Sequence, residues 1–262
     1  MKRRTIVSRR GRVASVAHIQ WFQAGAFIAA AIAMAVLGSP AQGATPNPNH
    51  ALKIGIIGTG NIGSALATLW VKAGHDVLIS SRHPDQLKDL AKSLGPKARV
   101  GTPREAATFG DVVLVSVPYA ALPDLGRDLS KELAGKIVLD TGNPYPARDG
   151  AMADDARKRG TGVTSAEYLP GTRLVRAFNA IAARSLANEA HRAGEKVAIP
   201  LAGDDAQALA VAQRLVRDAG FEPVVVGSLA HAKDFDVGTP VYVKLLTAAE
   251  LRRALGMGAA AE

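Results

Sequence analysis

The chain has 262 residues, 48% of them hydrophobic and only 5% aromatic, with no cysteine and a formal net charge of +9. That length buries a sizeable core, in one α/β domain or one plus a small extension, and the missing cysteines exclude disulfides, thiolate catalysis and cysteine-ligated metals. The charge does not indicate nucleic-acid binding: Lys2, Arg3, Arg4, Arg9, Arg10 and Arg12 carry most of it, residues 1–44 contain no acid, and no basic run remains in the body.

The first residues have the layout of a targeting segment. A basic start precedes an apolar, alanine-rich stretch over 24–37. Ser39-Pro40-Ala41-Gln42-Gly43-Ala44 then suits signal-peptidase cleavage after Ala41 or Ala44. The apolar stretch is short for a membrane span. Ser8-Arg9-Arg10 resembles a twin-arginine export signal, a route that carries folded proteins. Residues 1–44 are therefore expected to be a signal peptide, leaving an exported, periplasmic protein with no stable membrane span. Two alternatives stand beside this: an uncleaved membrane anchor, or translation starting near Met34 and a cytoplasmic protein. By composition, 45–51 is a linker. Residues 52–227 are expected to form the nucleotide-binding domain and 228–262 a C-terminal extension.

Residues 52–57 read as a strand. Gly58-Thr59-Gly60-Asn61-Ile62-Gly63 follows, then a helical pattern over 64–73, a second strand over 76–79, and Ser80-Ser81-Arg82. This order is the dinucleotide-binding fingerprint in its strand–loop–helix–strand context. Gly58 allows a sharp turn off the strand. Gly60 lets a pyrophosphate approach the backbone, and Gly63 lets the helix pack close. The first helical turn offers unpaired N–H groups and a partial positive charge to phosphate. Asn61 is placed to cap that helix or to touch a phosphate. The end of the second strand selects the cofactor. An NAD site usually carries an acid there, accepting from the ribose 2′-OH. Here stand Ser81 and Arg82, and Asp76 is at the opposite end. A guanidinium can hold a 2′-phosphate in bidentate fashion and stack on adenine, so the reading is NADP(H).

Alternation continues along the body. A helix is predicted over 84–94, with Pro84 in its first turn. A short strand at Arg99-Val100 and a helix over 103–109 come next. The β-branched run over 111–117 suits a central parallel strand buried on both faces, and Pro118 ends it. Then follow a helix over 119–131, a strand over 136–140 and a turn at Thr141-Gly142-Asn143-Pro144. The second half predicts strands over 173–178, 196–201 and 222–226, helices over 180–193 and 204–219, and an irregular stretch over 227–238. Thr247-Ala248-Ala249-Glu250 is a capping box for a final helix ending at Gly256. The fold class is α/β, a doubly wound, mostly parallel sheet of the Rossmann NAD(P)-binding kind, with a short C-terminal extension. Ligands on such a sheet bind at the carboxyl ends of strands. The candidate loops are therefore 58–63, 80–82, 116–120, 141–145 and 178–180. Val117 and Pro118 are expected against the nicotinamide or its ribose. Asn143 and Asn179 either donate to a carboxamide or substrate, or serve turn chemistry.

Over residues 52–250 the body resembles the NADPH-dependent deazaflavin (coenzyme F-420) reductase family, and more loosely the reductase domain of metal-reducing membrane proteins. The resemblance rests on 53–63, on Ser80-Ser81-Arg82 and Ser116-Val117-Pro118, on Arg176-Ala177-Phe178-Asn179, and on Gly203-Asp204-Asp205. It implies that Thr59, Gly60, Asn61, Ile62, Ser81 and Arg82 hold NADP. Some members carry a lysine just after the Ser-Arg pair, where this chain has His83; the segment from Asp236 to Tyr242 also departs from archaeal members. The implied activity is hydride transfer between NADP(H) and a small-molecule acceptor of deazaflavin or flavin type, in which the cofactors carry the chemistry. Catalytic residues are not assigned. A carbonyl or imine reductase is the rival enzyme and would need a proton donor, for which Tyr145, Tyr168, His231 and Lys244 are available. A non-catalytic NADP(H)-binding sensor is the rival without turnover. The partner expected is the electron acceptor, with no nucleic acid and no metal; a homodimer is left open.

Overall fold

The computed structural model describes residues 50–258, and the expected leader at 1–44 lies outside the described residues. The chain runs β1 (Lys53–Ile57), α1 (Asn61–Lys72), β2 (Asp76–Ser80), α2 (Lys88–Leu94), β3 (Ala98–Gly101), α3 (Pro103–Phe109), β4 (Val112–Val115), α4 (Leu122–Asp128), α5 (Ser130–Leu133) and β5 (Ile137–Asp140). It continues through α6 (Pro146–Asp149), α7 (Ala151–Arg159), α8 (Thr161–Tyr168), β6 (Arg173–Arg176), α9 (Ala183–Asn188), β7 (Ala198–Gly203), α10 (Ala206–Asp218), β8 (Glu222–Gly227) and α11 (Ala248–Ala254).

The strands form one eight-stranded sheet in the order β3-β2-β1-β4-β5-β6-β7-β8. The first six are parallel, β7 pairs antiparallel with β6, and β8 is parallel to β7. The doubly wound sheet is as expected. The reversal of the last two strands was not legible, because the direction of a short strand leaves no trace in its own pattern.

Several helices differ from expectation. The helix expected over 119–131 is a 3-10 turn at Tyr119–Ala121 followed by α4 and α5. Pro123 is the reason: proline fits only the first turn of a helix, so a new helix must open beside it. The helix expected over 180–193 shrinks to α9. Beyond it His191 sits at φ 56 and donates its N–H to the Gly220 carbonyl at 3.1 Å. Helices α6, α7 and α8 fill a stretch for which the pattern predicts no element. They are short pieces broken by Gly150 and Gly160, and α7 has only alanines and Met152 among its charged residues, so no strong periodicity marks them.

The sheet is buried on both faces. Alternation in β4 sends Val112 and Leu114 to one side, with Ile54, Trp70 and Leu215, and Val113 and Val115 to the other, with Tyr119, Leu133 and Val138. Trp70 locks α1 to α10 by donating its indole N–H to the Leu215 carbonyl at 2.9 Å. After β8, a 3-10 turn at Leu229–Phe235 replaces the expected irregular stretch. The capping box forms as predicted: the Thr247 hydroxyl accepts from the Glu250 N–H at 3.3 Å, and Glu250 accepts from the Thr247 N–H at 2.8 Å. Phe235, Val241 and Leu251 pack this segment against the last two strands. Among the described residues, no helix is long and apolar enough to cross a membrane.

His75 joins the first turn after α1 to α10. It is 2% exposed. Its Nδ1 accepts the Leu52 N–H at 3.1 Å, so Nε2 carries the proton and donates to Asp218 at 3.0 Å. Burial lowers the pKa below its ordinary 6.5, although Asp218 opposes the shift. A folded value below the unfolded one means the unfolded chain takes up more protons as pH falls. The contribution is therefore complete above the unfolded pKa and is lost through the folded one. The thermal midpoint should drop as the pH falls through and below about 6.5, and His75→Gln should flatten that slope; calorimetry across the range checks both.

Candidate cofactor and substrate site

The glycine loop is tied down from beneath. The N–H groups of Gly58 and Thr59 both donate to the Ser80 carbonyl at 3.1 Å, and the Thr59 hydroxyl donates to the same oxygen at 3.0 Å. Gly58 takes φ 94, and a Cβ there would stand 2.3 Å from the Ser116 carbonyl oxygen. A Cβ on Gly63 would stand 2.3 Å from the Gly58 oxygen, so α1 packs directly on the turn. Gly60 is different: an added Cβ would have nothing within 4 Å. The fold itself demands Gly58 and Gly63. The space over Gly60 is open, a cradle that a side chain would fill. Gly60 is also the N-cap of α1, with no capping side chain. Asn61 is the first helical residue and is exposed, so it does not cap the helix. Only from Ser64 onward do N–H groups find helical carbonyls, beginning with Gly60 at 2.8 Å. The first-turn N–H groups of Asn61, Ile62 and Gly63 have no helical carbonyl to meet, an arrangement that suits an anion.

Above the loop lies a cleft of about 820 Å³. Its lining brings together Gly58, Thr59, Gly60, Ser81, Arg82, Val117 and Pro118. The Ser81 hydroxyl accepts from the His83 N–H at 3.0 Å and shapes the turn after β2. Arg82 is exposed, and among the described residues it has no ion-pair or hydrogen-bond partner. Sequence reasoning missed the opposite walls: Thr102-Pro103-Arg104 at the start of α3, and Ala121, Leu125 and Leu129 from α4 and its flanks. Arg104 is fixed there by Glu132 and by the Asp128 carbonyl at 2.7 Å. Knowing that β3 lies beside β2 would have pointed to it.

Beyond β4 the loops are organised by buried charge. Arg176, at the end of β6, donates to Asp140 at 2.6 Å and to the Gly142 carbonyl at 2.7 Å, and both side chains are fully buried. Asp140 also accepts from the Gly142 N–H at 2.7 Å. Asp149 gathers the Ala120 N–H at 3.2 Å and the Tyr145 N–H at 2.9 Å, joining the loop after β4 to the loop after β5. Asn143 donates to the Asn179 carbonyl at 2.8 Å, so both asparagines meet at the carboxyl ends of β5 and β6. Phe178 is held at φ 58 with its ring against Trp70, a strained backbone fixed by packing.

Of the four candidate proton donors, only Tyr145 reaches these loops; its hydroxyl lies 2.6 Å from that of Tyr242. Tyr168 packs on Tyr119, His231 pairs with Asp234, and Lys244 is exposed. Burial pushes the Tyr119 phenol up to about 12, and its hydroxyl is spent on Thr164 and Ser165. Gly203-Asp204-Asp205 ends β7, which runs opposite to β1, so it sits at the far end of the sheet. Its acids are structural there: Asp205 caps α10 and takes a two-pronged contact from Arg173 at 2.6 and 2.9 Å, and Asp204 accepts from the Leu229 N–H.

Residues 53–144 match the family described as NADP oxidoreductase, coenzyme F420-dependent. The chain carries an NADP-binding domain of the F420-oxidoreductase-like family. It is 31% identical over 218 residues to the metalloreductase STEAP3 of Rattus norvegicus, a match covering 80% of this chain and 40% of that protein. The F420-dependent NADP reductase of Methanothermobacter thermautotrophicus is 27% identical, covering 74% of this chain and 89% of the reductase. A crystal structure of a hypothetical protein from Sinorhizobium meliloti has TM-score 0.67 and 29% identity, covering 76% of this chain and 96% of that one. The chain spans about two fifths of the length of the metalloreductases it matches.

The two kinds of glycine separate experimentally. Gly63→Ala should cost about 1–3 kcal/mol of stability through the forced contact. Gly60→Ala, at an ordinary φ of −84, should leave stability within about 0.5 kcal/mol and still weaken NADPH by roughly tenfold. Denaturant titration and fluorescence titration measure the two effects. Arg176→Met strands the Asp140 carboxylate and should cost about 3–5 kcal/mol by the same denaturant titration.

Proposed function

We propose that the chain is an NADP(H)-dependent oxidoreductase that passes hydride between nicotinamide and a small deazaflavin- or flavin-type acceptor. The observation that carries this is the acid-free end of β2. Ser81 and an unpaired Arg82 open into the same cleft as the uncovered Gly60. A carboxylate there would repel a 2′-phosphate, and Arg82 attracts one. The residues present fit the cofactor. Ser81 and Arg82 would hold the 2′-phosphate, the first-turn N–H groups of α1 the pyrophosphate, and Val117 and Pro118 the nicotinamide side. Leu125, Leu129 and Ala121 offer an apolar wall that excludes water. The bound cofactor supplies the hydride; the chain supplies orientation. The name of the methanogen reductase supports a deazaflavin as the acceptor class.

Arg82→Ala should weaken NADPH by about 1–3 kcal/mol and leave NADH nearly unchanged, measured by fluorescence titration of both nucleotides. Equal effects on the two would refute the 2′-phosphate role. Oxidation of NADPH with flavin or deazaflavin tests turnover. Tight binding without any oxidation would make the protein a nucleotide sensor instead.

A further inference from the structure

We propose that Tyr242 delivers the proton that completes reduction of the acceptor, with Tyr145 relaying protons to it from solvent. This rests on the hydride-transfer reading above and names what that reading leaves without a residue. Hydride transfer to a conjugated acceptor leaves negative charge on an oxygen or nitrogen of that acceptor, and a positioned acid neutralises it.

The placement comes from three contacts. Tyr242 meets Tyr145 hydroxyl to hydroxyl at 2.6 Å, across 97 residues of sequence. The Asn143 amide N–H lies 3.4 Å from the same Tyr242 oxygen and can only donate to it. The Asn143 loop follows β5, immediately beside the loop that carries Val117 and Pro118; Asp149 ties Ala120 and Tyr145 together. The Tyr242 oxygen thus receives an amide donor, and a second donor when Tyr145 offers its proton. With Tyr145 as the donor, the Tyr242 O–H is left free to donate to an acceptor. Tyr242 is half-buried, whereas Tyr145 is 37% exposed, so Tyr145 is the member of the pair open to water.

A second observation points to a ligand here. The side-chain oxygens of Asn143 and Asn179 are buried without hydrogen-bond partners, and Asn179 is 2% exposed. Buried amide oxygens ordinarily have partners. Together with the Tyr242 hydroxyl, they suit an acceptor carrying N–H groups beside a protonatable oxygen or ring nitrogen.

The step balances. The hydride brings two electrons to the acceptor, the Tyr242 O–H bond breaks, and its proton goes to the acceptor's oxygen or nitrogen. The nicotinamide leaves oxidised. The Tyr242 phenolate then takes the Tyr145 proton, and Tyr145 takes one from water. Burial and the nearby Asp236 carboxylate raise the Tyr242 pKa, so it holds its proton until the acceptor takes it. Arg148 lies over the Tyr145 ring at 5.1 Å, and its cation faces the solvent end of the relay.

The test uses the full chain with NADPH and either FMN or 5-deazariboflavin. Tyr242→Phe should lower kcat at least roughly tenfold, with KM and NADPH affinity within about twofold of the parent. The parent should show a solvent deuterium isotope effect on kcat that Tyr242→Phe loses. Tyr145→Phe should lower kcat less. In the cofactor-free protein it should also move the tyrosinate absorbance of Tyr242 to higher pH, since the hydroxyl that donates to the Tyr242 oxygen is gone. A Tyr242→Phe protein that binds NADPH and turns over at the parent rate overturns proton delivery alone. A parent that binds NADPH and reduces neither acceptor overturns the hydride-transfer reading and this one with it.

Discussion

The Arg176–Asp140 pair is the contact on which the far half of the site depends. Both groups are fully buried, so each is tolerable only because the other is present. The guanidinium also binds the Gly142 carbonyl, and Asp140 binds the Gly142 N–H. The loop after β5 is therefore fixed by one ion pair lying inside the sheet. Asp236, 3.8 Å from the same guanidinium, accepts from the Thr161 N–H at 3.0 Å. One buried cation thus connects β5, β6, α8 and the segment that carries Tyr242.

The near half is built on other terms. There the backbone does the holding, with three donors converging on the Ser80 carbonyl and two glycines that cannot accept a Cβ. The result is a rigid floor beneath an open cleft, with Arg82, unpartnered among the described residues, at its rim. A rigid floor suits the phosphates, whose recognition is electrostatic and positional. The far half presents amides and phenols, groups that suit a neutral heterocycle better than a phosphate. The two kinds of group follow the sheet: backbone N–H groups and Arg82 beside β1 and β2, amides and phenols beside β5 and β6.

The cofactor end was legible because its signals are local. Gly58, Gly60 and Gly63 lie within one turn, and Ser81-Arg82 lies one strand away. Local backbone rules give each a meaning without knowledge of the rest of the chain. Arg104 was illegible because its place in the cleft depends on β3 lying next to β2. Tyr145 and Tyr242 were illegible as a pair, since nothing in a sequence brings together residues 97 apart. The Asp204-Asp205 turn joins a strand to a helix as the glycine loop does, but β7 runs backward and carries it to the far end of the sheet.

By itself the sequence determined the alternation of elements, the glycine turn, the acid-free end of β2 and the capping box at Thr247. All of these follow from propensities and spacings within a few residues. Tertiary structure alone decided the reversal of β7 and β8, the second wall of the cleft, and the meeting of Asn143, Asn179, Tyr145 and Tyr242. Those depend on which strands become neighbours and in what direction, and that is settled by burial of both sheet faces together.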